Sequence, residues 1–319
     1  MKAVQILGDM SSPQITTTAS LPQPVPQGTD LLVRVHAAGI TGDEVTWPEV
    51  YARTSRIPGH DISGVISALG PEYTGPLTVG QEVYVCLHPD RGAGQAEYAV
   101  CSAQEVAPKP KSVSFAEASA LPIPLLTAWE ALTSRGNVTA GMRVLITGAS
   151  GAVGILAVQL ATRVISGGGA HVIALASARN HDDLKNLGAQ EVVDYNTPGW
   201  ENLATGKVDV VFDTVGGEVL AKTWESVKED GLIITVGDPA PSWAFGGKPP
   251  AEAETHPRVR YLHFIVSPNA ERLEEGARMI DEGSLRPLAA KGFPFEQAQE
   301  AWAYAQTRSR GHKVAIEFA

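Results

Sequence analysis

The sequence predicts an α/β protein whose first part is rich in β-strands and whose second part is a doubly wound parallel sheet. With 319 residues the chain exceeds the usual size of one compact core, so we expect two domains. Short β-like runs separated by Gly, Pro and Asp fill about the first hundred residues, which indicates a twisted, mostly antiparallel β domain. From about Phe115 onward strand-like and helix-like segments alternate, which is typical of a parallel sheet covered by helices.

The strands of the first part are apolar runs bounded by turn-forming residues. We predict them at residues 31–39, 64–68 and 82–86. The chain closes with two helical patterns, at 270–282 and 295–306, and a last strand-like run at 313–318. A strand that follows the parallel sheet suggests that the chain returns to the β domain, which would then be discontinuous.

Six strands are predicted for the second part, at residues 144–147, 171–176, 191–194, 208–213, 232–236 and 261–267. The clearest helix between them is 180–187, with Asn180 as its N-cap and Gly188 as its stop signal. Residues 243–258, rich in Pro, Gly and charge, are predicted to form a mobile loop near the carboxyl ends of the strands, where α/β proteins bind their ligands.

The strongest functional signal follows the strand at 144–147, where three glycines lead into an amphipathic helix pattern at 152–162. The glycines are Gly148, Gly151 and Gly154. Without Cβ atoms, they let the backbone turn tightly and lie against a pyrophosphate at the helix N-terminus. Ser150 replaces the middle glycine of the usual G-x-G-x-x-G fingerprint, so a purely structural turn is the alternative. A second strand at the expected distance, after a glycine turn at 167–169, favours dinucleotide binding.

The end of the second predicted strand indicates which dinucleotide binds. NAD-binding sites usually place Asp or Glu there to hold the ribose hydroxyls, whereas this chain has Ser177 and Arg179. A hydroxyl and a guanidinium hydrogen-bond a 2′-phosphate, which an acid would repel. We therefore expect NADPH rather than NADH, with a turn role for Ser177 and a solvated surface role for Arg179 as the alternatives.

Composition argues against several classes of protein. The formal net charge of −10 disfavours nucleic acid as a partner. Two cysteines, Cys86 and Cys101, do not supply the disulfide framework of a small secreted protein and fit a reducing compartment. No apolar stretch approaches the length of a membrane span. We expect a cytoplasmic protein without a membrane segment.

Seven short segments have an order and spacing that resemble one family along essentially the whole chain. They are A-A-G-I at 37–40, P-G-H-D-I-S-G-V at 58–65, G-Q-A-E-Y at 94–98, L-L-T-A-W at 125–129, the glycine turn at 148–154, F-D-T-V-G-G at 212–217 and G-H-K-V at 311–314. The chain resembles the medium-chain dehydrogenase/reductase superfamily, in particular its zinc-independent quinone oxidoreductase and enoyl reductase branch. The resemblance implies a GroES-like domain at 1–117, completed by 268–319, and a Rossmann domain at 118–267, with NADPH in the cleft between them.

The same resemblance implies which residues contact the cofactor. They are Ser150, Gly151, Ala152, Val153 and Gly154 at the pyrophosphate, Ser177, Arg179 and Tyr195 at the 2′-phosphate, Val215, Val236 and Gly237 along the ribose and nicotinamide, and the backbone of Phe264 and Val266 at the carboxamide. Tyr51 of the first domain would lie over the nicotinamide, and a half-buried surface aromatic is the alternative for it.

A metal is not expected. Zinc-containing relatives have a Cys in the loop after Ala-Gly-Ile, a Gly-His-Glu segment and a further Cys near the domain junction. This chain has Thr41 at the first place, His60 and Asp61 at the second, and no cysteine beyond Cys101. One His and one Asp do not make a zinc site. His60 is expected to hydrogen-bond within the β domain instead.

Together these features predict hydride transfer from NADPH to a quinone or to the β-carbon of an α,β-unsaturated carbonyl. The candidate catalytic residues are Tyr51, Thr41, Asp43 and Thr127. Solvent is an alternative proton source, and Asp43 is also interpretable as a turn residue. Alternative functions are a dedicated enoyl or ketone reductase of a biosynthetic pathway and a non-catalytic NADPH-binding protein of crystallin-like or RNA-binding type. The apolar run at 261–266 is the expected edge strand of a homodimer.

Overall fold

A computed structural model describes residues 1–163, 169–202, 206–307 and 311–318. They form two compact units. The first combines Met1–Leu126 with the segment that starts at Ser267, and the second is Thr127–Val266. Most of the glycine turn expected at 167–169, namely Gly167 and Gly168, lies outside the described residues.

The secondary structure alternates as the sequence predicts, with strands dominating the first unit. The strands are β1 (Ala3–Leu7), β2 (Gln14–Thr18), β3 (Leu31–Ile40), β4 (Asp61–Leu69), β5 (Glu82–Cys86), β6 (Tyr98–Cys101), β7 (Val106–Pro108), β8 (Arg143–Thr147), β9 (His171–Leu175), β10 (Glu191–Val193), β11 (Val208–Asp213), β12 (Val227–Thr235), β13 (Arg260–His263), β14 (Ala290–Pro294) and β15 (Lys313–Glu317). The α-helices are α1 (Pro48–Ala52), α2 (Phe115–Ala118), α3 (Pro122–Glu130), α4 (Ala152–Arg163), α5 (His181–Asn186), α6 (Gly217–Thr223), α7 (Glu252–Thr255), α8 (Ala270–Asp281) and α9 (Ala298–Ala305).

The first unit is built on a seven-stranded sheet in the order β14-β15-β3-β4-β5-β7, with β6 also paired to β3. The neighbours are antiparallel apart from β14 and β15, which are parallel. The last strand, β15, therefore returns to the first unit and pairs with β3, as the sequence predicts. In the core of the first unit, apolar strand residues pack against Trp302 of α9. The indole N–H of Trp302 donates to Gln95 Oε1 at 2.9 Å.

The second unit contains a six-stranded sheet in the order β10-β9-β8-β11-β12-β13, and every neighbouring pair is parallel. Counted in chain order within this sheet, the strands lie 3-2-1-4-5-6, which is the Rossmann arrangement. The chain moves outward from β8 first to one side and then to the other. Ligands of such sheets bind at the carboxyl ends of the strands where this reversal occurs, so the ends of β8 and β11 are the candidate binding site.

Several predicted boundaries are wrong by a few residues. The first unit extends to Leu126 rather than to 117, because Ser63 Oγ donates to the carbonyl of Phe115 at 2.6 Å and Asp61 Oδ1 accepts from the N–H of Ile123 at 2.7 Å. These bonds attach α2 and the start of α3 to the first sheet. The strand predicted at 232–236 begins at Val227, ahead of a register shift against β11.

Three further predictions in the second unit need correction. The strand expected at 261–267 ends at His263, which is also where its partner β12 ends. The loop expected at 243–258 contains α7 and is anchored by the Trp243 ring, which packs edge-on against Tyr261 at 5.1 Å. The Asn180 side chain precedes α5 but does not cap it, since it donates to Ser177 Oγ instead.

Across the described ranges, no helix has the length and apolar character needed to cross a membrane.

Candidate active site

The turn between β8 and α4, residues 148–154, requires glycine at two positions. Gly148 has φ +58°, and a Cβ there would lie 2.4 Å from Thr214 Oγ1. A Cβ on Gly154 would lie 2.4 Å from the oxygen of Gly148 and 2.6 Å from Ala149 Cα, so the helix and the strand end meet backbone to backbone. The first N–H groups of α4 have no acceptor within the helix. A tight glycine turn at the head of a 12-residue helix fits a pyrophosphate.

One buried carboxylate joins the ends of three central strands. Asp213, at the end of β11, accepts a hydrogen bond from Thr147 Oγ1 of β8 at 2.6 Å and from Thr235 Oγ1 of β12 at 2.6 Å. The N–H groups of Gly216 and Val215 donate to the same carboxylate at 2.9 and 3.3 Å. Asp213, Thr147 and Thr235 are all fully buried. We call these five residues the Asp213 network, and it fixes the loops after β8, β11 and β12 relative to one another.

The Asp213 network holds three predicted cofactor residues at the ends of β11 and β12. Val215 is 44% exposed in the loop after β11. The N–H of Val236 donates to the carbonyl of Asp213 at 3.0 Å, and that of Gly237 donates to Thr235 Oγ1 at 3.0 Å. A Cβ on Gly237 would lie 2.6 Å from the backbone N and Cα of Gly216, so this loop tolerates no larger residue without moving.

The remaining predicted residues of this end, Phe264 and Val266, follow β13 at the edge of the sheet. Phe264 is buried, and the guanidinium of Arg135 lies 5.3 Å from the centre of its ring. Val266 is half-buried and is the last residue of the second unit. Beyond the strand end the backbone N–H and C=O groups of both residues are outside the sheet ladder.

The predicted 2′-phosphate residues lie at the ends of two adjacent strands. Leu175 and Val193 are paired in register, so Ser177 and Tyr195 each follow two residues later at the same edge. Arg179 is exposed, and Tyr195 is 50% exposed. The structure therefore places a hydroxyl, a guanidinium and a phenol at one corner of the sheet.

The sequence prediction did not include an acid at the same corner. Asp194 directly precedes Tyr195, and its carboxylate accepts hydrogen bonds from the backbone of Asn196 and of Ala178. These bonds hold the pKa of Asp194 below its ordinary value. The carboxylate thus fixes the loop that carries Ser177 and Arg179.

Of the candidate catalytic residues, Thr41 and Asp43 lie in the loop that follows β3. Both side chains are half-buried. Thr41 Oγ1 lies 3.5 Å from Lys313 Nζ. Asp43 starts the short turn Glu44–Thr46 and accepts through its backbone oxygen from Thr46, which agrees with its interpretation as a turn residue.

The other two candidates lie on helices. Tyr51, on α1, donates its hydroxyl hydrogen to the carbonyl of Val45 at 2.6 Å and packs against the core of the first unit. Burial raises the pKa of this phenol above its ordinary value. Thr127 is buried in α3 and is the first residue of the second unit. The hydroxyl hydrogen of Tyr51 is thus already donated to Val45. The hydroxyl of Thr41 only accepts from Lys313, so that contact does not use its hydrogen.

His60 is held inside the first unit. Its Nδ1 lies 2.9 Å from Glu44 Oε1, and its Nε2 lies 3.3 Å from the carbonyl of Pro89. Burial lowers the pKa of His60, but the adjacent Glu44 carboxylate outweighs this and raises it overall. The same carboxylate accepts from the N–H of Gly59 at 2.6 Å. The expectation that His60 bonds within the β domain agrees with these contacts.

The potential metal ligands of the described residues do not form a zinc site. No set of three or more His, Cys, Asp or Glu side chains in the described part of the chain is arranged to hold a metal ion. Cys86 and Cys101 are buried free thiols. Around His60, the Glu44 carboxylate is already used by a backbone N–H and the imidazole, and Asp61 Oδ1 by Ile123. This donor set does not fit a zinc site.

Besides Asp194, sequence reasoning missed the polar side chains of Asp213, Glu44 and Lys313. Asp213 ends an apolar strand, and a threonine ends each of the two neighbouring strands, β8 and β12. That recurrence was the available signal for the network. For Glu44 and Lys313 no local signal exists, because their partners come from other parts of the sequence. Glu44 contacts Gly59 and His60, and Lys313 lies near Thr41 and Asp61.

Comparison with known proteins gives matches over both units. Residues 27–111 match the family described as alcohol dehydrogenase GroES-like domain, and residues 187–316 match the family described as zinc-binding dehydrogenase. The solved quinone oxidoreductase from Coxiella burnetii superposes with a TM-score of 0.83 over all of both chains, at 27% sequence identity.

Curated relatives include three reductases or oxidoreductases. A probable zinc-binding mitochondrial oxidoreductase of Arthroderma benhamiae is 31% identical, over 90% of this chain and 87% of its own. The 2-methylene-furan-3-one reductase of Solanum lycopersicum is 35% identical, over 82% of this chain and 63% of its own. The chloroplastic NADPH-dependent alkenal/one oxidoreductase of Arabidopsis thaliana is 31% identical over the same two shares.

Proposed function

Because the chain belongs to the medium-chain dehydrogenase/reductase superfamily, we propose that it is an NADPH-dependent reductase of quinones or of the C=C bond of α,β-unsaturated carbonyls, acting without a metal. The observation that carries this proposal is the glycine turn at the head of α4, fixed by the Asp213 network at the reversal point of the parallel sheet. A nicotinamide cofactor is supported by relatives whose names include NAD(P)H or NADPH.

Different residues of the chain would contact different parts of the cofactor. The pyrophosphate would lie against the glycine turn at 150–154, where the first backbone N–H groups of α4 point out of the helix and the helix dipole also favours negative charge. Val215, Val236 and Gly237 would line the ribose and nicotinamide, and the free backbone of Phe264 and Val266 would hold the carboxamide. When bound, a reduced nicotinamide supplies a hydride.

The preference for NADPH rests on Ser177, Arg179 and Tyr195. A guanidinium hydrogen-bonds a phosphate in bidentate fashion, and such charge-assisted bonds are stronger than neutral ones. We expect Arg179→Gln to weaken NADPH binding roughly tenfold to a hundredfold and to leave NADH binding unchanged. Lys185→Gln, at an exposed lysine of α5, is the matched loss of one charge and should change neither. Equal effects of Arg179→Gln on both coenzymes would contradict the assignment.

The acceptor class follows from the lack of a zinc ligand set in the described residues. A metal polarises a ketone or alcohol oxygen as a Lewis acid. A conjugated acceptor needs less help, because charge arriving at the β-carbon spreads to the oxygen, where a hydrogen-bond donor stabilises it. The names of relatives that reduce a methylene-furanone or an alkenal/one support the same class.

The test is coenzyme oxidation with a panel of quinones, enals, enones and simple ketones, using protein treated with a chelator and assayed for bound zinc. We expect turnover of conjugated acceptors, little turnover of saturated ketones and no dependence on zinc. A dedicated biosynthetic reductase would act on one enoyl substrate class only. Tight coenzyme binding with no turnover of any acceptor would instead favour a non-catalytic coenzyme-binding protein.

Two further parts of the proposal concern assembly and location. We propose a homodimer through β13, because it is the edge strand of the parallel sheet and presents unpaired backbone groups. A monomer mass by light scattering at micromolar concentration would refute it. We also propose a cytoplasmic location, since Cys86 and Cys101 are both free thiols, and subcellular fractionation tests this.

A further inference from the structure

Three polar side chains meet at one end of the sheet in the first unit. Val314 pairs with Ile40, so Lys313 at the start of β15 stands beside Thr41, the first residue after β3. On the other side of β3, the pairing with β4 brings Asp61, the first residue of that strand, next to Gly39. Residues from the two ends of the sequence therefore share one small site.

The ammonium of Lys313 lies near both other groups. Its Nζ is 3.5 Å from Thr41 Oγ1 and 4.0 Å from Asp61 Oδ2, and the Lys313 side chain is only 11% exposed. Asp61 is 1% exposed, and its Oδ2 accepts no hydrogen bond from any described residue. Gly39 keeps the site compact, because a Cβ there would lie 2.3 Å from the carbonyl oxygen of Ser119. Lys313 is thus a cation that faces this buried carboxylate.

The chemistry of an ammonium decides the direction of the Thr41 contact. A lysine ammonium has three hydrogen-bond donors and no acceptor, so Lys313 donates and Thr41 Oγ1 accepts. The hydroxyl hydrogen of Thr41 must then point to a different acceptor. Among the residues that the structure describes, none accepts it.

We propose that Lys313, held by Asp61, is a positioning residue that makes the Thr41 hydroxyl a hydrogen-bond donor to the carbonyl oxygen of the substrate. The inference rests on the proposed function. As hydride adds, a C–H bond forms at the β-carbon and the π-electron pair of the C=C bond moves through the conjugated system onto the oxygen. The coenzyme is oxidised, the enone is reduced, and the α-carbon then takes a proton from water.

In this arrangement Thr41 keeps its proton and stabilises the developing enolate oxygen as an oxyanion donor does. The neighbouring ammonium polarises the hydroxyl and strengthens its bond to the substrate. A purely structural role for Lys313 is the competing explanation, in which it only neutralises Asp61. The two roles differ in one respect. If Lys313 positions Thr41, its loss lowers kcat only when the Thr41 hydroxyl is present.

The first experiment is a double-mutant cycle on the full chain, with kcat and KM for an enone that the wild type reduces. We expect Thr41→Val to lower kcat on the order of a hundredfold and Lys313→Met to lower it roughly five- to tenfold. The double variant should be no slower than Thr41→Val, because Lys313 acts through the hydroxyl. Thr41→Ser, which retains a hydroxyl, should recover most of the rate.

Controls separate this effect from lost stability or lost coenzyme. Lys291→Met removes one exposed charge from the neighbouring strand β14 and should leave kcat unchanged. The dissociation constant for NADPH, measured by fluorescence, should be the same in all variants. If Lys313→Met does not fold, Lys313→Gln replaces it. Its amide carries no charge to polarise the Thr41 hydroxyl, and its oxygen can accept the hydroxyl hydrogen inside the protein, so a loss of rate in the same direction is expected.

The second readout does not depend on turnover. In a complex of enone with the oxidised coenzyme, the infrared carbonyl stretch should move to lower wavenumber in the wild type and return toward the solution value in Thr41→Val and Lys313→Met. The inference is overturned if Lys313→Met keeps the wild-type stretch and kcat, or if the single effects multiply in the double variant. Failure of the proposed function would look different. In that case the wild type would oxidise the coenzyme with none of the acceptors in the panel.

Discussion

Replacement of Asp213 by asparagine tests how far one carboxylate organises the second unit. Asparagine keeps one accepting oxygen, but its NH₂ group only donates. In either orientation, one threonine hydroxyl, that of Thr147 or Thr235, must reverse, and one backbone N–H, that of Gly216 or Val215, loses its acceptor. Hydrogen bonds to a charged group contribute about 1.5–3 kcal/mol each, and an orphaned buried donor costs about 1–3 kcal/mol. We therefore expect Asp213→Asn to lower the free energy of unfolding by about 3 kcal/mol.

The assay is urea unfolding followed by circular dichroism, with NADPH binding measured in parallel by fluorescence. Coenzyme binding should weaken as well, because the loops after β8, β11 and β12 lose their common anchor. Asp209→Asn is the matched control on the same strand: its carboxylate is 27% exposed and bonded to Lys228 and the N–H of Arg143, so we expect a loss below about 1 kcal/mol. The reasoning is refuted if Asp213→Asn costs no more than Asp209→Asn.

The other predictions concern burial and close packing. Burial raises the pKa of Asp61 from 3.8 to about 6, so the wild type loses stability as pH rises through about 6. Relative to the wild type, Asp61→Asn should gain about 3 kcal/mol in free energy of unfolding between pH 4 and pH 8, whatever the loss of the Lys313 contact costs, and a pH-independent difference in urea unfolding would contradict this. Gly154→Ala should cost about 1–3 kcal/mol in the same assay and Gly151→Ala much less, because their Cβ atoms would lie 2.4 and 3.1 Å from the Gly148 oxygen. Trp302→Phe should cost about 1–3 kcal/mol by leaving Gln95 Oε1 unpaired, and Trp302→Phe/Gln95→Leu should recover part of it.

The strands and the glycine turn were readable from the sequence because each is specified locally. An apolar run of five or six residues between turn-forming residues is enough to indicate a buried parallel strand, and β11 has the predicted bounds. The start of α4 follows from the glycines, since only they permit the φ of Gly148 and the backbone contact at Gly154. The return of β15 to the first unit was predicted from chain order alone.

Errors occurred where a neighbour in space decides the outcome. The strand expected at 261–267 stops at His263 because its partner β12 ends at Thr235, and an apolar sequence cannot extend a strand that has no ladder to join. The segment 243–258 has the composition of a loop. In the structure, however, the ring of Trp243 packs against Tyr261, and the segment contains α7. Composition reports on local preference and carries no information on such contacts.

The sequence by itself determined the two kinds of sheet, the place of the glycine turn at 148–154 and the corner with Ser177 and Arg179. Only the tertiary structure decided which polar groups act together. Thr147, Asp213 and Thr235 become one network because the parallel sheet sets their strands side by side, and Lys313 meets Thr41 because β15 pairs with β3. Strand order is fixed by packing and pairing over the whole chain, so no local pattern encodes these contacts.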